Sequence, residues 1–381
     1  MKISDIKFYS LRLKLDESFA SSQGWHNYRT ASLVKIVTDE GIEGWGECGA
    51  YPEVTQSIIE YMWKPLLLGK DPFDNEVLWE LQYRGIRGRK GALIAAISGL
   101  DIALWDIKGK ALGLPIAKLL GGMFRDSVKC YATGMYMTKT DDLPKALADE
   151  AAGYVEAGFQ AVKMKIGYGL DKDIEIVSAV RNAIGDNVRL MVDANCAYDA
   201  RTAIHVGRKL DELNVYWFEE PVSPTDIDGY IEVKNALDLY IAGGELEFTK
   251  YGFKDFIINR AADIVQPDTS CVGGITEGKK IAALCETFGL RCLPHVWGTP
   301  IIIAANLHLI ASLPAPYSIN DPLEPLIEFD RSPNPFRDYL AKEPIVQENS
   351  RIKVPQKPGL GIEVDEDLII KIAENPESVK F

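Results

Sequence analysis

Histidine is scarce in this chain, with four in 381 residues, at positions 26, 205, 295 and 308. The six cysteines form no C-x-x-C pair, so the usual redox and zinc spacings are missing. A chain of this length also needs no disulfide staples. Basic charge is in deficit: 42 Lys and Arg face 55 Asp and Glu, for a net charge of −13. Nucleic-acid binding depends on a basic face, so that partner is not expected. An acidic surface gives solubility, and an anionic substrate would then need a locally positive site made by lysines or a metal. No apolar run approaches the roughly 20 residues of a membrane span. The opening MKISDIKFYSLRL alternates charge and lacks the apolar core of a signal peptide. A membrane partner is therefore not expected, and the expected location is the cytoplasm. With 47% hydrophobic and 25% charged residues, the composition is that of a folded globular enzyme. Its length suits one large domain or two ordinary ones.

What is present is a rhythm. Between Gln160 and Asp330, seven apolar runs each end in an ionisable residue. Lys163 and Lys165 close FQAVKMK, Asp193 closes VRLMVD, Glu219 closes VYWFE and Glu245 closes YIAGGE. Asp268 closes DIVQPD, His295 closes RCLPH and Glu328 closes PLIE. Successive steps from Asp193 to Glu219, Glu245, Asp268 and His295 are 26, 26, 23 and 27 residues. Each step is the length of one strand and one helix. A β/α barrel gathers the carboxyl ends of its strands around one mouth, where its chemistry sits. VKCYATGMY, near Val128, reads as the first barrel strand. Helices are expected at Pro144–Ala157, Lys172–Ile184, Arg201–Leu213, Asp226–Ala236, Tyr251–Asn259, Thr276–Phe288 and Thr299–Ser312.

The residue types at that mouth define a chemistry. Asp193, Glu219 and Glu245 would converge, and three close carboxylates repel unless a cation lies between them. Helix capping could explain one such acid, but three at matching offsets favour a metal site. An all-oxygen set suits Mg²⁺ rather than zinc. Lys163 and Lys165, two apart in a strand, point the same way. Adjacent cations should lower each other's pKa and make a neutral lysine available as a base. Asp268 can hold one ring nitrogen of His295 and set the tautomer of the other. Glu328, preferred to Glu324 by the pattern PLIEFD, could donate to a developing oxyanion if protonated.

The first 125 or so residues follow a different pattern. Ile3–Leu13, Ser32–Thr38 and Ile42–Glu47 read as strands, the last two joined at Asp39-Glu40-Gly41. Helices are expected at Thr55–Leu67, Asn75–Tyr83 and Ala92–Leu112, giving an α+β unit. The polar stretch Asp16–Arg29 reads as a long loop, of the kind that often forms a lid. After Glu328 the barrel rhythm stops. Residues 331–381 carry two short strand-like pieces, Arg351–Pro355 and Gly361–Val364, and are expected to return to the first unit. The expected division is thus 1–125, 126–330 and 331–381.

The ordered motifs K-x-K (Lys163, Lys165), D-A-N (Asp193–Asn195), F-E-E-P (Phe218–Pro221), G-G-E (Gly243–Glu245), Q-P-D (Gln266–Asp268), P-H (Pro294–His295) and E-F-D (Glu328–Asp330) resemble the enolase superfamily, in its mandelate racemase/muconate lactonizing enzyme-like branch. G-W-G-E at Gly44–Glu47 and the helix SGLDIALWDIKGKALGLP are similar to that family's capping domain. The resemblance implies an α/β fold, a modified (β/α)₇β barrel with an α+β cap, and a homo-oligomer. It implies Mg²⁺ on Asp193, Glu219 and Glu245, with Glu220 not a ligand. It also implies removal of the proton next to a sugar-acid carboxylate, through an ene-diolate. Lys165 or His295 would take the proton, Lys163 would orient the carboxylate and Glu328 would bond the ene-diolate. PHVWGTP and EPLIEFDRSPNPF look most like enzymes that open galactarolactone-type rings by expelling the β-oxygen. Acid-sugar dehydration is the alternative, then racemisation or epimerisation. A Schiff-base aldolase leaves the three acids unexplained, and a non-catalytic sugar-acid binder has no use for two bases. Asn195, Trp25, His26, Tyr51 and Trp297 are candidate contacts to a small sugar-acid or lactone substrate.

Overall fold

The structure, a computed structural model, describes residues 1–315 and 324–379. Strands β1 (Ile3–Ser21), β2 (Gly24–Thr38) and β3 (Glu43–Cys48) form an antiparallel meander. β1 and β2 stay paired from Ile3↔Thr38 to Ser21↔Gly24, with an irregularity between Lys14 and Phe19. Residues 16–29, expected as a loop, are therefore the far end of a two-stranded arm. The irregularity explains the miss. Leu13 and Leu15 keep a period of two, but Phe19 and Ala20 are buried in succession, so the alternation that marks a strand is broken there. The arm rests on the barrel. Ala20 and Met137 exchange backbone hydrogen bonds at 2.8 and 3.0 Å, and Ser22 Oγ donates to the Ala194 carbonyl at 2.7 Å.

The helix Ala92–Leu112 is buried along most of its length between this sheet and the barrel. Its contact explains the glycines of G-W-G-E. A Cβ on Gly46 would lie 1.8 Å from the Gly99 carbonyl oxygen, so only glycine allows sheet and helix backbones to approach this closely.

The barrel strands are β4 (Ser127–Thr133), β5 (Ala161–Lys165), β6 (Arg189–Asp193), β7 (Val215–Glu219), β8 (Tyr240–Gly243), β9 (Ile264–Val265), β10 (Arg291–Cys292) and β11 (Leu326–Asp330). β4 to β10 pair in parallel in chain order, and β11 returns to pair with β4. Among the described residues seven helices connect them, from Leu143–Glu156 to Pro300–Ala311. Several begin on an Asp that caps them: the side chains of Asp142, Asp199 and Asp226 accept from backbone N–H groups three residues on. Tyr131, Met191, Trp217, Ile264, Leu293 and Leu326 pack as one cluster inside the barrel. The barrel is thus a filled core with a mouth, not a channel.

Past β11, the hairpin of β12 (Gln347–Glu348) and β13 (Arg351–Lys353) adds antiparallel to the first half of β4. The strand expected at Gly361–Val364 is reduced to one bridge, Ala341 to Val364. Gly361 has φ +72°, which an extended strand does not accommodate. The helix Glu366–Glu374 packs on β1, where Glu366 accepts from Tyr9 Oη at 2.7 Å and pairs with Lys35 at 2.6 Å. No helix among the described residues is long and apolar enough to cross a membrane.

Candidate active site at the barrel mouth

Strand register sets the first half of the site. Lys165 is level with Asp193 on β6, and Asp193 with Glu219 on β7. Glu245 follows two residues past β8. Side-chain oxygens of Asp193, Glu219 and Glu245 all lie within 4.8 Å of one another. Asp193 Oδ1 accepts from the Asn195 backbone N–H at 2.8 Å, and Oδ2 from the Asn195 side chain at 3.2 Å. Asn195, a candidate contact to the sugar, thus holds this carboxylate, and its own Oδ1 takes no hydrogen bond. Glu219 Oε2 accepts from Trp217 Nε1 at 3.0 Å and Gln266 Nε2 at 2.9 Å. Glu245 Oε2 is buried and receives no hydrogen bond. Burial and the neighbouring acids raise Glu219 to about 7 and push Glu245 up as well. Burial opposes the charge on Asp193 too, but Lys165 and Lys163 outweigh it and hold this group low. Three crowded carboxylates, one with an inner oxygen that takes no hydrogen bond and lies 3.4 Å from His295 Nε2, form a set that a hard divalent cation fits.

The lysines are not as the sequence suggested. Lys163 Nζ donates to Glu219 Oε1 at 2.5 Å and lies 3.0 Å from Glu328 Oε1. Lys165 is paired with Asp193. Burial alone would lower both ammonium groups, but the carboxylates overcome it and raise both well above the usual lysine range. Two like charges in one strand were the legible feature. The closer opposite charges decide the result.

The second half of the site stands on loops beyond β9 and β10. His295 Nδ1 lies 2.8 Å from Asp268 Oδ2, while Asp268 Oδ1 accepts from Ser270 N–H at 2.7 Å and Ser270 Oγ at 2.6 Å. His295 Nε2 is 3.4 Å from Glu245 and 3.7 Å from Glu328. Burial would lower this imidazole, yet Glu245, Glu328 and Asp268 raise it to about 10. Glu328 accepts from Thr133 Oγ1 at 2.5 Å and from Val296 N–H at 3.2 Å. Against the cost of burial, Lys163 and His295 hold it down at about 2. Glu328 is therefore an acceptor here, not the protonated donor the sequence allowed. Glu324 is bound to Arg351 at 2.9 Å, before β11 begins.

A cavity of about 550 Å³ opens between arm and barrel, lined by Glu245, Asp268 and His295 below. Trp25, His26, Tyr51 and Trp297 all line it. Sequence reasoning missed Phe19, Tyr136 and Arg29. Phe19 stacks on His26 with ring centroids 5.0 Å apart and meets Tyr136 at 4.7 Å. The Tyr136 ring lies 5.4 Å from Lys165 Nζ. Arg29 covers Trp297 at 4.2 Å and pairs with Asp330 at 3.1 Å. Phe19 and Arg29 lie in the stretch read as loop, so only the arm's strand character would have pointed to them.

Residues 146–368 match the Enolase C-terminal domain-like family model. Residues 15–121 match the Mandelate racemase / muconate lactonizing enzyme, N-terminal domain. The chain is 41% identical over 372 residues to the D-galactarolactone cycloisomerase of Agrobacterium fabrum, covering 97% of this chain and 98% of that one. It is 40% identical over 332 residues to the arabinonate dehydratase of Saccharolobus solfataricus, covering 86% of each. The crystal structure of the 3,6-anhydro-D-galactonate cycloisomerase from Zobellia galactanivorans superposes with a TM-score of 0.89. That protein shares 42% identity, with 98% of this chain and 99% of the other covered.

Proposed function

Since the chain belongs to the enolase superfamily, in its mandelate racemase/muconate lactonizing enzyme branch, and is one of its isomerase or lyase enzymes, we propose that it is a Mg²⁺-dependent cycloisomerase. Its substrate would be a sugar acid whose β-oxygen belongs to a five-membered ring, with a galactarolactone as the first choice. The observation that carries this reading is the placement of two kinds of base about one carboxylate cluster. Asp193 touches Lys165, and Glu245 faces His295. Mg²⁺ held by Asp193, Glu219 and Glu245 would supply the positive charge that stabilises an ene-diolate, as described for enolase superfamily sites generally.

The chain's own groups do the rest. Lys163, anchored by Glu219 and Glu328, orients the substrate carboxylate. Lys165 or His295 removes the α-proton once it is neutral, a state that Mg²⁺ would favour by drawing off the carboxylate charge that holds their protons. The other, still protonated, stands ready as an acid. The electron pair of the broken C–H bond forms the new C=C bond as the β-carbon–oxygen bond breaks. A lactone oxygen leaves as a stable carboxylate. An ether or hydroxyl oxygen leaves as a stronger base and needs a proton from the acid. The enol product then takes a proton at the β-carbon and becomes a deoxy-keto acid. Trp25, His26, Tyr51 and Trp297 enclose the ring. Dehydration of an open-chain acid is the second reading, favoured by the likeness to an arabinonate dehydratase.

Proton NMR in D₂O with Mg²⁺ tests this, offering galactarolactones, 3,6-anhydro-galactonates, galactarate and arabinonate side by side. Ring opening to a deoxy-keto acid, abolished by chelation and restored by Mg²⁺, is expected. Turnover of open-chain acids alone makes the enzyme a dehydratase. α-Deuteration without elimination makes it a racemase or epimerase. Full activity after chelation removes the metal from the mechanism.

A further inference from the structure

The C-terminal end of β3, away from the β2–β3 turn, reaches out of the capping sheet and into the loops that carry the Asp268–His295 pair. Glu47 is buried against the loop after His295. Its Oε1 accepts from Thr299 N–H at 3.1 Å. Its Oε2 accepts from Thr299 Oγ1 at 2.6 Å and Ile302 N–H at 3.2 Å. Thr299 Oγ1 in turn accepts from Ile301 N–H at 3.2 Å. The opening turn of the helix Pro300–Ala311, whose donors have no partner inside the helix, is thus tied to the cap. Two residues on, Gly49 N–H donates to the Ser270 carbonyl at 2.9 Å, and Cys271 Sγ approaches the Gly49 carbonyl at 3.3 Å. Ser270 is the residue whose N–H and hydroxyl hold Asp268. A Cβ on Gly49 would lie 2.3 Å from Ser270 Oγ and 2.4 Å from Cys271 Sγ, so the strand approaches that loop as closely as backbone can.

The geometry points to Glu47, with Gly49, as the positioning element of the histidine base: one short segment of the cap holds the Asp268 loop and the His295 loop in a fixed relation. Glu47 touches neither His295 nor Asp268. Both its oxygens are occupied by the loop's donors, so it acts through the backbone that carries the imidazole. The same loop is pinned from the barrel side by Glu328 at Val296 N–H and by Asn334 at the Gly298 carbonyl, 3.1 Å away. Removing the cap's share leaves the histidine on a chain held at one side only.

This inference rests on the proposed role of His295, but part of its test does not need a substrate. Four histidines make the imidazole ¹H–¹⁵N spectrum of the Mg²⁺-loaded full chain assignable residue by residue. In Glu47→Ala the His295 ring signals should shift and broaden, while those of His308, buried beside Ala117 and Leu360, stay in place. Glu47→Gln, which keeps one acceptor, should move the same signals less and serves if the alanine variant does not fold. Where turnover is measurable, Glu47→Ala should lower kcat by about 10- to 100-fold, the scale of a misplaced catalytic group. KM and the Mg²⁺ affinity should hold within a few-fold. Unmoved His295 signals, His295 and His308 moving together, or a loss carried by KM or by metal binding would each overturn the assignment. A silent substrate panel with the expected shift at His295 would count against the proposed reaction and leave the positioning role standing.

Discussion

Lys163 and Lys165 stand on β5, five residues long and hydrogen-bonded to β4 and β6. His295 stands three residues beyond β10, which is two residues long and, among the described residues, paired only with β9. The two proposed bases face the same carboxylate cluster, yet they are held by different physics. The lysines are fixed by the ladder, because period-two alternation in a paired strand leaves their direction no freedom. The histidine is fixed by side chains. Asp268 holds its ring, Glu328 and Asn334 its loop, and Glu47 the helix that follows. A barrel can therefore carry one rigid base and one whose position depends on polar ties from several elements.

The lysine side should give the largest effect when cut. Lys165→Ala removes a group the proposed mechanism uses and should lower turnover by about 10²- to 10⁴-fold. The strand should stay in place, since Val162 and Met164 keep its core contacts. The same variant should bind Mg²⁺ more tightly. Lys165 competes for Asp193 in the metal-free protein, and its charge repels a cation. A gain of about tenfold corresponds to a Coulomb change near 1.4 kcal/mol. Calorimetric titration of both proteins checks it, and an unchanged or weaker affinity would show that Lys165 does not contend with the metal.

The histidine side should be sensitive to a change that leaves His295 itself intact. In Asp268→Asn the Ser270 bonds can persist, but the amide can present N–H to His295 Nδ1 and reverse the tautomer. Proton transfer on the histidine face should fall by about 100-fold or more, while transfer on the lysine face continues. Deuterium exchange at the substrate α-carbon, read by NMR for each face, separates the two. Equal losses on both faces would mean that the bases do not work independently.

That contrast also explains what was legible in the sequence. The strand-end residues stood out because strand and helix lengths repeat, and the repeat turns position in the chain into position around a ring. The three acids and K-x-K were read from that spacing. The lysine pKa values were not, because they depend on carboxylates brought within 2.5 to 3.0 Å by register. The arm formed by β1 and β2 was missed where its alternation slips. Glu47 was legible only as a family motif. Its partner Thr299 is 252 residues away, and nothing local to G-W-G-E says that its last residue caps a barrel helix.

A second buried histidine gives the smallest expected effect on catalysis and the cleanest contrast with His295. His308 is held by backbone alone: Ala117 N–H donates to Nδ1 at 3.4 Å, and Nε2 lies 3.0 Å from the Leu360 carbonyl. With one proton on Nε2 facing the Leu360 carbonyl, a second would have to sit on Nδ1, which faces the Ala117 donor. Burial lowers this imidazole to about 4, with only the Leu360 carbonyl opposing the shift, whereas carboxylates raise His295. The sign for stability follows. In the unfolded chain a histidine takes up its proton near pH 6.5, but His308 in the folded chain does not until about pH 4. Its contribution is fully present above pH 6.5 and is lost as pH falls toward 4, by about 3 kcal/mol in all. Between pH 7.5 and 5 the wild type should lose about 2 kcal/mol more than His308→Gln, which keeps a donor and an acceptor but does not titrate. Urea unfolding at the two pH values measures the difference, and turnover at pH 7.5 should be the same for both proteins. Parallel losses would show that the ring finds an acceptor on protonation, and that a histidine held by backbone is as tolerant of charge as one held by acids.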